Sequence, residues 1–273
     1  MKLNFTKMHG LGNDFIVLDA VKKEIPGIVR VVKKLADRRF GVGFDQALIL
    51  KDSKKADFRM DIYNNDGGRV EMCGNGIRCL AQYIWTNRLS RKPRLDIETL
   101  AGIIRPEKVG ALVRVDMGEP VLEGKLIPTI VEGEIVDRRL AINDRTFEIT
   151  CVSMGNPHCV IYVDDVDGFP VEKYGSQIEV NKFFPKKTNV EFIEVLGRTK
   201  IKMRVWERGA GETLACGTGA SAAAVASIIK GYTGNKVTVL LRGGRLVIEW
   251  SKKNNHVYMT GPAEEVFTGQ AEV

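Results

Sequence analysis

The chain has 273 residues, 44% hydrophobic and 27% charged, a balance that supports a sizeable core and excludes a disordered or low-complexity chain. Its net charge of +7 comes from scattered lysines and arginines with acids between them, and no basic run interleaves with aromatics, so no nucleic-acid partner is expected. No apolar run reaches the roughly 18 residues of a membrane span, and residues 1–7 lack a signal-peptide apolar block, so the protein is expected to be cytoplasmic with no membrane partner.

Residues 1–7 alternate, with Leu3 and Phe5 on one face, and predict a strand. A Gly-rich turn is expected over 8–14 and a second strand over 15–19. Ile28, Val29, Val32, Leu35 and Ala36 recur at helical spacing, predicting a helix over 27–39 that is entered through Pro26 and ends near Gly41. Strands over 47–51 and 58–63 lead to a turn at Cys73. Beyond it Ile77, Leu80, Ala81 and Ile84 mark an amphipathic helix to about residue 87. Strands at 95–99, 103–106 and 111–116 close the first half. Gly118, Pro120 and Gly124 then mark a boundary, giving domains over 1–117 and 118–261 and a tail, 262–273, that can pack back onto the first. The second half predicts strands at 146–152 and 159–163, a short helix near 171–178, and strands at 189–196 and 200–206. An alanine-rich helix over 220–229 and strands at 236–241, 245–249 and 256–260 complete it.

Two stretches are copies of each other. Cys73-Gly74-Asn75-Gly76 and Cys216-Gly217-Thr218-Gly219 each lie between a strand and a helix, and the cysteines are 143 residues apart. The same offset places Met60 on Met203, Tyr63 on Trp206, Asn64 on Glu207, Gly12-Asn13 on Gly155-Asn156, and Gln46 on Asn189. One offset matching several separated places implies two like-folded domains related by a pseudo-two-fold axis. The two cysteines are then expected to face each other across one pocket.

The chain has five cysteines, Cys73, Cys79, Cys151, Cys159 and Cys216, with no CxxC pair, which argues against a disulfide framework or a metal site. Cys79, Cys151 and Cys159 lie in apolar surroundings and read as small buried hydrophobes. A thiol at a helix N-terminus is expected to have a lowered pKa, and the free N–H groups there bind a carboxylate. Two such thiols suit removal of a proton from one face of a carbon and delivery to the other, inverting a stereocentre. Both helix dipoles would stabilise the developing enediolate-like charge, and no cofactor is demanded.

The runs around these cysteines closely resemble the diaminopimelate epimerase family. They are Lys7-Met8-His9-Gly10-Leu11-Gly12-Asn13-Asp14-Phe15, Gly41-Val42-Gly43-Phe44-Asp45-Gln46, Cys73-Gly74-Asn75-Gly76-Ile77-Arg78-Cys79, Met154-Gly155-Asn156-Pro157-His158-Cys159 and Glu207-Arg208-Gly209-Ala210-Gly211-Glu212-Thr213, which span nearly the whole chain. The resemblance implies an α+β fold of two similar domains, each a mixed β-barrel-like sheet around a central helix. It implies a cofactor-independent isomerase interconverting LL- and meso-diaminopimelate in lysine biosynthesis, and a homodimer. In the family's pattern Cys73 and Cys216 are acid and base, with His158 and Glu207 as auxiliary polar residues. Backbone N–H groups of Gly74, Asn75, Gly217 and Thr218 hold the reacting carboxylate. Asn64, Asn156, Asn189 and Arg208 lie near the distal carboxylate and Glu207 near the distal ammonium, while Asn13 and Gln46 line the pocket.

Lesser alternatives stay open: a surface ion pair for Arg208, left-handed turns for Asn13 and Asn156, and a packing role for His158. Two departures stand out: Asn64-Asn65-Asp66-Gly67-Gly68 where the family commonly has Asn-Ala-Asp-Gly-Ser, and Phe267 where it often has a dimer-contact tyrosine. Rival readings are a proline racemase or hydroxyproline epimerase, and a thiol redox-sensing binding protein. The Glu207-Arg208 pair favours a long substrate with a second zwitterionic end.

Overall fold

Alternation along the strands sets the layering. Ile16, Leu18, Ala47 and Ile49 belong to one buried apolar cluster with Val31, Val32 and Leu35 of a helix, α1 (Ile28–Ala36). Their strand neighbours Phe15 and Leu48 point the other way, against Gly76 of a second helix, α2 (Gly74–Thr86). The sheet is therefore buried on both faces. A computed structural model describes residues 1–71 and 73–273. It divides into two compact units, Met1–Asp116 with Gly261–Val273, and Met117–Thr260.

The first unit's sheet runs in the order Glu264–Glu272, Lys2–Gly10, Asn13–Asp19, Gln46–Lys51, Phe58–Asn64, Ile97–Thr99, Gly102–Ile104. Pairing is mixed: Asn13–Asp19 lies parallel to Gln46–Lys51, which is antiparallel to Phe58–Asn64. The second unit repeats this plan. Its sheet runs Arg138–Ile142, Arg145–Ser153, Pro157–Tyr162, Asn189–Gly197, Lys200–Glu207, Lys236–Leu241, Gly244–Trp250, Val257–Gly261. Helix α3 (Val171–Glu179) covers one face with Val171, Tyr174 and Ile178, clustered with Ile161, Val190 and Phe192. Helix α4 (Gly217–Ile229) packs on the opposite face, with every residue from Gly219 to Ser227 buried. Its small side chains let it sit close to the strands.

The register confirms the duplication. Phe15 pairs with Gln46 as His158 pairs with Asn189, and Ala47 with Tyr63 as Val190 with Trp206. Helices α2 and α4 begin and end at the same 143-residue offset. The tight turns match too, with φ of +88° at Gly12 and +92° at Gly155.

Several expectations need correction. Neither sheet closes into a barrel; each follows an open path with two edges. The turn expected over 8–14 is only Leu11 and Gly12, because strand pairing continues through Gly10 and resumes at Asn13. Helix α1 stops at Ala36 because the Asp37 carboxylate accepts the N–H groups of Arg39 and Phe40, each at 2.7 Å, in place of helical bonding. Strands Arg138–Ile142 and Glu264–Glu272 went unread, since both are largely exposed and show little apolar alternation. No described helix is long and apolar enough to cross a membrane.

Candidate active site

Each cysteine is the N-cap of its unit's central helix, in extended backbone: φ −141°, ψ 115° at Cys73, and φ −124°, ψ 116° at Cys216. That conformation directs the side chain at the first helical turn. In the first unit the N–H of Ile77 is bonded to the Cys73 carbonyl at 2.9 Å, and the N–H of Gly76 to Cys73 Sγ at 3.4 Å. The N–H groups of Gly74 and Asn75 stand ahead of that ladder, as the opening amides of a helix do. In the second unit Ala220 N–H closes on the Cys216 carbonyl at 2.9 Å, leaving Gly217 and Thr218 in the same position. Thr218 Oγ1 lies 3.5 Å from Cys216 Sγ.

Around Cys73, Asn13 is a hub rather than an isolated turn residue. Its Oδ1 accepts from Asn75 Nδ2 at 3.2 Å and lies 3.9 Å from Cys73 Sγ, while its Nδ2 donates to Asp45 at 2.8 Å. Arg38 clamps Asp45 and Asp14 together, with Nη2 contacts of 2.8 Å to each. Arg78, fully buried, donates to the Gly74 carbonyl at 3.1 Å, Asn75 Oδ1 at 2.9 Å and the Pro262 carbonyl at 3.2 Å. Gln46 donates to Asn64 Oδ1 at 2.9 Å across a strand pair, and its own Oε1 is buried without a partner among the described residues.

Around Cys216 the equivalent positions carry different chemistry. His158 is fully buried, with Nδ1 2.7 Å from Glu191 Oε1 and Nε2 2.9 Å from Asn156 Oδ1. Asn189 donates to the Pro157 carbonyl at 2.8 Å and accepts the N–H of Arg208 at 2.9 Å, fixing the turn that carries the guanidinium. Arg208 is exposed and donates to the Lys186 carbonyl at 3.2 Å. Glu207 accepts from the Thr213 hydroxyl.

The expected low thiol pKa does not hold at Cys216. Burial pushes it well above its usual value, and the charges of Glu207 and Glu191 push it further, outweighing the bonds from Thr218 and the Gly219 N–H.

The first unit thus gathers Asn13, Cys73, Gly74 and Asn75 at the start of α2, with Gln46 and Asn64 paired on the neighbouring strands. The second gathers Cys216, Gly217 and Thr218 at the start of α4, with Glu207 acting on the thiol. Two linked pairs complete it: Asn156 with His158, and Asn189 with Arg208. Sequence reasoning missed Glu191. The signal was there: Glu191 follows Asn189 by two, so both share the α4 face of one strand, and a lone carboxylate between Val190 and Phe192 sits where burial is forced. Arg78 was likewise passed over, although a cation within the apolar helix run Ile77 to Ala81 also demands buried partners.

Comparison with known proteins agrees with this construction. The diaminopimelate epimerase family model matches residues 5–123 and 150–266. Diaminopimelate epimerases of Methanococcus maripaludis and Moorella thermoacetica are 49% and 52% identical, covering 99% and 98% of this chain and 100% and 98% of their own. Among solved structures, a PhzF family phenazine biosynthesis protein of Bacillus anthracis superposes over 100% of both chains, with a TM-score of 0.75 at 18% identity. A hydroxyproline epimerase of Agrobacterium vitis covers 98% of this chain and 92% of its own, with a TM-score of 0.71 at 14% identity. At those identities the two structures speak for the fold alone. Full-length relatives near half identity, together with the duplicated cysteine caps, place the chain in the diaminopimelate epimerase family.

Proposed function

We propose that the protein epimerises diaminopimelate between its LL and meso forms, with Cys73 and Cys216 exchanging roles as acid and base. Family membership makes it an isomerase; the residue roles are our reading. The observation that carries them is the duplicated cap: two thiols, each at the N-terminus of a buried helix, each beside opening amides suited to a carboxylate.

In the forward step a thiolate removes the α-proton while the other thiol delivers one to the opposite face. Charge developing on the α-carboxylate is held by N–H groups of Gly74, Asn75, Gly217 and Thr218. The raised Cys216 thiol suits the acid. Reversal exchanges the two roles. The distal end of diaminopimelate carries an ammonium and a carboxylate. Glu207 answers the first; the Arg208 fork, with Asn64, Asn156 and Asn189, answers the second. The unpartnered Gln46 Oε1 supplies a further acceptor.

A homodimer belongs to the same proposal. Val266 and Phe267 are 54% and 46% exposed, an apolar edge on the outermost strand of the first unit. Sedimentation at micromolar protein should give twice the chain mass, and a monomer at that concentration would remove this part. We also propose cytoplasmic residence, as suits an enzyme of amino-acid biosynthesis.

The deciding experiment is incubation with LL-diaminopimelate in deuterated water. Deuterium should enter the α-carbon as meso product accumulates, and C73S and C216S should each lose nearly all of it. Turnover of proline without turnover of diaminopimelate would overturn the assignment.

A further inference from the structure

The two caps rest on different floors. An added Cβ at Gly76 would meet Leu48 Cδ2 at 3.0 Å and Phe15 Cε1 at 3.4 Å. At Gly219 it would meet Glu191 Oε1 at 2.7 Å and Cys216 Sγ at 3.4 Å. Leu48 and Glu191 are equivalent by the 143-residue offset, as are Phe15 and His158. An apolar pair in one unit is thus a titratable pair in the other, packed under the same helical glycine.

Hydrogen-bond accounting fixes what that pair holds. Asn156 presents its carbonyl oxygen to His158 Nε2, so Nε2 donates. Nδ1 and Glu191 Oε1, 2.7 Å apart, then share a single proton. Both residues are fully buried, and Glu191 Oε2 has no partner among the described residues, so no solvent shell stabilises a second charge. The carboxyl oxygen is the member lying against Gly219 beside the sulfur.

We propose that Glu191 is a positioning residue: it anchors the His158 ring and forms with it a buried one-proton couple that keeps Cys216 protonated until substrate arrives. This rests on the reading of Cys73 and Cys216 as the proton-transferring pair. The other groups facing the assembly are Glu207, from strand Lys200–Glu207, and Cys159, itself held neutral by burial and by Cys151. At the first unit's cap the buried ionisable group is instead the Arg78 guanidinium, which interacts with Cys73.

The test is the pH dependence of iodoacetamide alkylation, read at Cys216 by peptide mass with Cys73 as internal reference. In E191Q the Cys216 midpoint should fall by about one unit or more, with little change at Cys73, and E191D should restore it. An unchanged midpoint in folded E191Q would overturn the proposal. If E191Q does not fold, the double variant H158F/E191L copies the Phe15 and Leu48 pair of the first unit and should show the same fall; an unmoved midpoint there is equally fatal. Nitrogen NMR of the three histidines in the wild-type protein is a check needing no variant. His158 must carry its proton on Nε2, where the Asn156 carbonyl accepts it, and a bare Nε2 would end the idea. Exchange surviving in C73S or C216S, with the E191Q shift intact, would sink the two-thiol reading and leave the couple's effect on the thiol standing.

Discussion

Asp14 is the keystone under Asn13, and D14N tests it quantitatively. Its carboxylate accepts from Lys7 Nζ at 2.5 Å, from Arg38 Nη1 and Nη2 at 3.0 and 2.8 Å, and from the Asp45 N–H at 2.9 Å. Burial alone would push the carboxyl up, but the Arg38 and Lys7 bonds outweigh it and hold it at about 2, below the usual 3.8. At ~1.36 kcal/mol per pKa unit that displacement corresponds to ~2.4 kcal/mol. Arg38 is 58% exposed, so water and salt screen part of it, and the stabilisation reduces to about 1–1.5 kcal/mol. The folded-state pKa lies below that of the unfolded chain, so the contribution is complete above about pH 5 and disappears as pH falls through the folded value. Urea unfolding should find D14N less stable by about 1–1.5 kcal/mol at pH 7, with roughly half of that gap gone at pH 3. A gap under about 0.5 kcal/mol at pH 7, or one that keeps its full size at pH 3, would refute the assignment of stability to this charged cluster.

Three further outcomes follow from the site. G219A should cost about 1–3 kcal/mol of stability, because the new methyl strikes a carboxyl pinned by His158 at 2.7 Å; G76A, whose nearest contact is a Leu48 methyl at 3.0 Å, should cost less, and paired thermal melts compare them. R208M should raise KM for diaminopimelate by about tenfold or more with a smaller effect on kcat, since a charge-assisted pair to a remote group contributes ~1.5–3 kcal/mol; steady-state kinetics checks this, and an unchanged KM removes Arg208 from the substrate. E207Q takes away one of the two charges that raise Cys216, so the alkylation midpoint of that thiol should move to lower pH; no movement would show that Glu207 does not act on the sulfur.

Much of this was readable before any coordinates. Both helix caps follow from Cys-Gly at a strand-to-helix junction, and the repeat follows from one constant offset. The hidden parts share a physical cause. Strand Glu264–Glu272 is defined by its pairing with Lys2–Gly10 across nearly the full chain length, and such long-range pairing leaves no local period. The end of α1 is set by a side chain, Asp37, competing for backbone amides, which apolar periodicity does not register. The thiol misjudgement came from weighing the helix dipole, worth ~0.3–1 kcal/mol near a surface, without the burial that opposes it. Burial is a tertiary quantity, and at Cys216 it wins.

The duplication also explains where the units had to diverge. The proposed inversion asks the same of both units: a thiol, an extended cap and opening amides. Those features are repeated, as are the register of Gln46 and Asn189 and the close floor under Gly76 and Gly219. On the proposed reading only one copy needs charge for the substrate's remote end, and Asn64 and Asn65 correspond to Glu207 and Arg208. A charge placed there perturbs its own thiol, since Glu207 acts on Cys216. The couple of His158 and Glu191 lies in that same unit, at the positions that carry the apolar Phe15 and Leu48 in the other. Divergence is therefore concentrated on one face of one sheet, beneath a single sulfur, while the backbone carrying it is shared.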